Sequence, residues 1–189
     1  MEKYFWREKN ADKFVGRYEV IVPTKEELEK ELILKFEQKL GRIDIIFDKN
    51  AREKYYREDK KPKEIKLEGL TEEEIQQKIG LNVVVDFLQV VYDFSKFKGV
   101  NFEILLSKNF KTPRKRSAEK IKSSIQKTIE DLKAKNNVNE ALLQIYFSSR
   151  ALAKLLKLDF GEVYKKQQEK QEVQGNFLNG KYVIFEEGI

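Results

Sequence analysis

From Thr24 onward the apolar residues Leu28, Leu32, Phe36 and Leu40 return at helical intervals, and Thr24 and Glu27 stand at capping-box spacing, which predicts a helix over residues 25–40. A competing reading pairs Leu32 to Phe36 as a strand with the run that follows. In that run, RIDIIFD, alternation puts Ile43, Ile45 and Phe47 on one face and Asp44, Ile46 and Asp48 on the other, the pattern of a strand. The run PKEIKL alternates in the same way, with Glu64 and Lys66 together opposite Ile65 and Leu67. The polar stretch KNAREKYYREDKK connects the two as a long hairpin loop or a short helical insert. Thr71 and Glu74 repeat the capping-box spacing ahead of Val83, Phe87, Val90 and Phe94, so a second helix is predicted up to Gly99, with Gly80 a candidate break. Val100, Phe102, Ile104 and Leu106 alternate again and predict a strand over 100–107.

Beyond Pro113 the pattern turns helical. Ile121, Ile125, Ile129 and Leu132 form one stripe, Asn136-Asn137 marks a turn, a further helix spans about Asn139 to Lys157, and another follows Asp159. At the two ends, Tyr18 to Val22 has the alternation of a short strand, and Asn179-Gly180 between apolar runs predicts a terminal hairpin. Residues 24–107 thus order as helix, strand, strand, helix, strand, and a helical block follows. The expected class is α+β or α/β, with residues 1–107 as an α/β core and residues 108–189 as a basic segment, helical block and hairpin packed on it.

Composition narrows the chemistry. The 189 residues include no cysteine and no histidine, which excludes disulfides, thiolate zinc sites, iron-sulfur clusters and imidazole catalysis. Any metal would be a hard, oxygen-seeking ion such as Mg2+ or Mn2+. No apolar run reaches membrane-spanning length and the opening residues lack a signal-peptide core, so an intracellular, cytoplasmic protein without a membrane partner is expected. Lysine and arginine exceed the acids by six, and the segment KNFKTPRKRSAEKIK, residues 108–122, carries that excess by itself, with seven basic residues against Glu119.

Two strands carrying Asp44 and the pair Glu64 and Lys66 on one face admit two readings. The charges could keep a surface strand solvated. Alternatively the carboxylates hold a divalent cation between them, and Lys66 orients a water or stabilises charge as phosphorus is attacked. Asp on one strand, Glu-x-Lys on the next and flanking helices resemble the PD-(D/E)XK nuclease superfamily, and GRID followed by EIK is similar to its RecB-like and archaeal junction-resolvase branches. The resemblance implies a restriction-endonuclease-like core and phosphodiester hydrolysis of DNA or RNA. It also implies Asp44 and Glu64 as metal ligands, Lys66 as the catalytic lysine, and Glu27 or Glu31 as a further carboxylate.

The basic segment offers Lys108, Lys111, Arg114, Lys115, Arg116 and Lys120 to phosphates, and Phe110 to an unpaired base; the alternative is a solvated loop between two elements. Residues 151–167, ALAKLLKLDFGEVYKKQ, resemble a helix-turn-helix, with Ala153 and Val163 at packing positions. The same region through QEVQGNFLNGKYV is similar to the end of MazG-type nucleotide pyrophosphohydrolases, all-helical enzymes whose Glu-rich helices hold magnesium. Where those enzymes have Glu-x-x-Asp, this chain has Ala141 and Gln144. Three functions are therefore expected to compete: a magnesium-dependent nuclease, a non-enzymatic nucleic-acid-binding, assembly or inhibitor protein of a nucleoprotein complex, and a degenerate MazG-like relative.

Overall fold

The computed structural model describes residues 25–58 and 67–174, Pro113 excepted, together with the backbone of residues 3–6, 18–21, 177–178 and 182–183. Seven helices run through the described residues: α1 (Lys25–Phe47), α2 (Lys49–Glu58), α3 (Glu72–Phe97), α4 (Phe102–Asn109), α5 (Ala118–Lys133), α6 (Val138–Leu155) and α7 (Phe160–Gln174). Among the described residues the core contains no sheet. Short antiparallel pairings join Lys3–Trp6 to Tyr18–Ile21 and Phe177–Leu178 to Tyr182–Val183, where the alternation around Tyr18 and the Asn179-Gly180 turn had pointed to strands.

The expected α+β or α/β class, with its restriction-endonuclease-like core, is overturned. RIDIIFD is not a strand: all but its final aspartate form the last turns of α1. The apolar pattern there fits both periods, but Ile43, Ile45 and Ile46 are all buried, which a half-buried strand cannot achieve because Ile46 would point outward. Helix also continues through Gly41, which costs about 1 kcal/mol relative to alanine. Burying three isoleucines returns several times that, at about 1.5–3 kcal/mol each. The predicted strand over 100–107 is likewise helix α4. Asn101 caps it by accepting a hydrogen bond from the Ile104 amide at 3.1 Å, Phe102 is buried, and Ile104, which alternation would have turned inward, is 52% exposed. The run PKEIKL before Leu67 lies outside the described residues.

α1, α3, α6 and α5 pack in a closed ring, each against the next, to form a four-helix bundle; α2 leans on α1, α4 on α6 and α7 on α3. The bundle draws two helices from each side of residue 107. The Ile121, Ile125, Ile129 and Leu132 stripe of α5 is wholly buried, as its spacing predicts. Thr71 and Glu74 form a complete capping box at the start of α3. Gly80 does not break that helix. A Cβ at residue 80 would sit 2.2 Å from Leu156 Cδ1, so the missing side chain is what lets α3 approach the end of α6 so closely.

The α1–α2–α3 corner is tied by one side chain. Arg52, 6% exposed, donates to the carbonyls of Ile45 (2.9 Å) and Ile46 (2.6 Å), and forks onto Glu72 at 2.9 and 3.1 Å. It thereby satisfies carbonyls in the last turn of α1 that the helix itself leaves open. Asp48 starts α2 by accepting from the amides of Asn50 and Ala51.

Candidate nucleic-acid interface

The segment from Lys108 to Lys120 bridges α4 and α5 and is fixed at both ends. At its start, Phe102 packs edge-on against Tyr92 and tilted against Tyr146, with ring centroids 5.3 and 5.5 Å away. Glu103 accepts from the hydroxyls of Tyr92 (2.5 Å) and Tyr164 (3.2 Å), holding α4 to α3 and α7. Burial and the neighbouring Glu103 carboxylate push the Tyr92 hydroxyl far above its ordinary pKa, so it stays a donor at any physiological pH. At the other end Ser117 caps α5, accepting from the Lys120 amide at 3.3 Å.

Between these anchors the side chains face water. Lys108, Lys111, Arg114, Lys115 and Lys120 are exposed and Arg116 is half-buried, and none of the six forms an ion pair with a described residue. Phe110 is 55% exposed, with one ring face 5.2 Å from the Arg150 guanidinium. Arg150 itself lies between Phe110 and Phe160, the latter at 4.3 Å, so the aromatic at the head of the cationic segment is held in place by a cation–π stack. The result is a set of unpaired donors beside a positioned ring.

The residues expected to build a metal site are distributed differently. Asp44 and Glu31 both lie on α1, thirteen residues apart, which at 1.5 Å per residue separates them by about 20 Å along the axis. Asp44 is exposed and takes Lys122 of α5 on both oxygens, at 2.7 and 2.8 Å. Glu31 is half-buried and Glu27 exposed on the first turns of α1. Glu64 and Lys66 lie outside the described residues. Among the described residues no group of three or more acidic side chains is arranged to hold a metal ion. The change from expected strand to helix explains this: on a helix Asp44 points across to α5 instead of standing beside a second strand.

Residues 151–167 do form a helix, a four-residue turn and a helix. Ala153 and Val163 are buried across it, and Lys157, at φ 55°, occupies the left-handed position that a glycine would fill most easily. Ala141 is buried and Gln144 is bonded to Glu140 at 2.9 Å, so no carboxylate lines those two positions of α6. A cavity of about 280 Å³ between the start of α3 and the end of α6 is lined by Glu73, Gln76, Gln77, Leu155, Leu156 and Lys157, and an exposed Lys157–Glu73 pair spans it at 3.1 Å.

Sequence reasoning missed a second concentration of charge. On the seam between α1, α3 and α7, Asp86 accepts from Arg42 at 2.9 Å and Lys170 at 2.6 Å and pairs with Lys39 at 3.1 Å. Burial pushes its carboxyl up, but Lys39 and Lys170 outweigh it and hold the carboxyl below the usual range. Two turns along α3, Asp93 is raised above the usual range by burial, and Gln89 donates to it at 3.0 Å. Nothing local in the sequence flags the Asp86 cluster, since its members are 44 and 84 positions from Asp86 or nearly so.

Among the described residues these features define an all-helical bundle with an exposed cationic segment, and no described helix is long and apolar enough to cross a membrane. Comparison with family models, curated proteins and solved structures gives no match to the chain.

Proposed function

We propose that the chain is a non-enzymatic nucleic-acid-binding protein that grips phosphates with Lys108, Lys111, Arg114, Lys115, Arg116 and Lys120 and stacks Phe110 on an unpaired base. The observation that carries this reading is concentration beside a held ring: Lys108, Lys111, Arg114, Lys115, Arg116 and Lys120 lie within one short segment, none paired with a described acid, next to the exposed Phe110 that Arg150 stacks against. A solvated loop would need charge but not a fixed ring. Phosphate contacts of this kind supply affinity without base preference, and an aromatic surface tolerates any base. Fluorescence anisotropy with short single-stranded and duplex oligonucleotides across a salt series tests it. Binding should weaken steeply as salt rises and should favour single strands. Salt-insensitive binding, or none at low salt, sinks the reading.

The nuclease reading loses the strand pair on which it rested. A second reading is favoured by one observation, the helical bundle itself, which suits the likeness of residues 151–183 to the end of MazG-type pyrophosphohydrolases. With Ala141 and Gln144 in place of carboxylates, such a relative would bind nucleotides without hydrolysing them. Incubation with nucleoside triphosphates and Mg2+ should release no pyrophosphate; steady release would overturn the non-catalytic view.

A further inference from the structure

We infer that the seam between α1, α3 and α7 is a binding site for a small doubly charged oxyanion of the phosphate class, held by Lys39, Arg42 and Lys170 around Asp86. Three cations converge on one carboxylate, which by itself offsets only one of their three charges, in a recessed place. Burying unbalanced charge is expensive, and the cost falls when a counter-charge of matching size occupies the site. A phosphate dianion matches it in both charge and acceptor geometry.

The seam is graded from closed to open. The Arg42 side chain is 19% exposed, Lys39 25% and Lys170 40%, so Lys170 stands at the mouth and Arg42 at the floor. At the floor, the buried Nε of Arg42 has no hydrogen-bond partner, while its terminal nitrogen is bonded to Asp86. A buried donor left open is costly, and an oxyanion reaching it after a small shift of the side chain would satisfy it. Lys39 and Lys170 each have further N–H donors beyond those turned to Asp86. The nearby groups reinforce the field. Lys35, Lys96 and Lys170 all lie close enough to act on Asp93, the other acid of the seam.

The same chemistry could come from a free phosphate or from a nucleic-acid backbone. The recess favours the free ion, because a polymer backbone cannot follow side chains that are mostly covered. Inorganic phosphate is the probe. Thermal unfolding and calorimetric titration of the full chain, in phosphate and in sodium chloride of equal ionic strength, should reveal a phosphate-specific rise in Tm and saturable binding. Asp86→Asn removes the competing acceptor and should tighten phosphate binding severalfold. Lys39→Met and Lys170→Met should each weaken it about tenfold, the loss expected for one charge-assisted contact. Substituting Arg114, Lys115 and Arg116 with alanine should leave phosphate binding unchanged, which keeps this test separate from that of the oligonucleotide surface. Lys170 is exposed enough that its methionine variant will fold. No phosphate-specific effect in either the native chain or Asp86→Asn would overturn the inference. So would phosphate binding that survives both lysine changes, or oligonucleotide binding that requires Lys39 and Lys170.

Discussion

The Asp86 seam and the 108–120 segment hold similar cations in opposite company. In the seam, Lys39, Arg42 and Lys170 come from two helices and share one carboxylate from a third, in a recess. In the segment, six cations follow one another along the chain with no described acid paired to them. The difference teaches that a cation's availability is decided by which acids the fold brings to it, not by its density in the sequence. Lys122 makes the point within a single run. It belongs to the basic stretch by position, yet the packing of α5 on α1 gives it Asp44.

The contrast predicts a ladder of effects on stability. At its top is Arg52, with two buried and two part-buried hydrogen bonds; Arg52→Ala should lower unfolding free energy by about 3 kcal/mol, measured by urea denaturation. A loss below about 0.5 kcal/mol, the level of an ordinary surface substitution, would mean that the corner does not depend on it.

One step down, Asp86→Asn leaves three cations facing one another and should cost about 2 kcal/mol at low salt, less at high salt as the repulsion is screened. No loss at low salt would mean that the seam's cations do not depend on their carboxylate.

Next comes a test of sign. Because the Asp86 carboxyl is held below its ordinary range, its contribution is present above the unfolded-state pKa and is lost as pH falls through the folded value. Asp93 is raised, so the native state binds more protons between the unfolded and folded values and stability falls as pH rises through that window. Urea midpoints from pH 3 to pH 7, about the range in which carboxylates finish titrating, should therefore diverge in opposite directions. Asp86→Asn should fall progressively below the native chain, Asp93→Asn should rise above it, and all three should converge in acid. Parallel profiles would contradict the assignment.

At the foot of the ladder, replacing Arg114, Lys115 and Arg116 together with alanine should change stability by no more than about 0.5 kcal/mol, while lowering the salt slope of single-strand binding by about 2. A large stability loss would show that the segment is structural after all.

How much of this was legible beforehand depended on whether the deciding contacts were local. The α5 stripe, the capping box of Thr71 and Glu74 and the Asn136-Asn137 turn depend on neighbours within a few residues, and each is present. The basic segment was visible for the same reason. RIDIIFD and the 100–107 run were misread because three or four apolar residues in six satisfy both a period of two and a period near four, and only the partner surface decides between them. For Ile46 that surface is the bundle interior; for Asn101 it is the amide of Ile104. The strand expected to carry Asp44 is helix α1, and Glu64 and Lys66 lie outside the described residues. The Asp86 seam was beyond reach, because Arg42, Asp86 and Lys170 meet only once α1, α3 and α7 have packed.

The notch at Gly80 bears on that meeting. Leu156 drops into it and sets the axial register of α6 along α3, like a detent in a slide. Only three residues separate Leu156 from the start of α7, so the offset fixed at the notch is handed on to the helix that carries Lys170. A single absent methyl group near one end of the bundle thus calibrates how a lysine meets its carboxylate farther along.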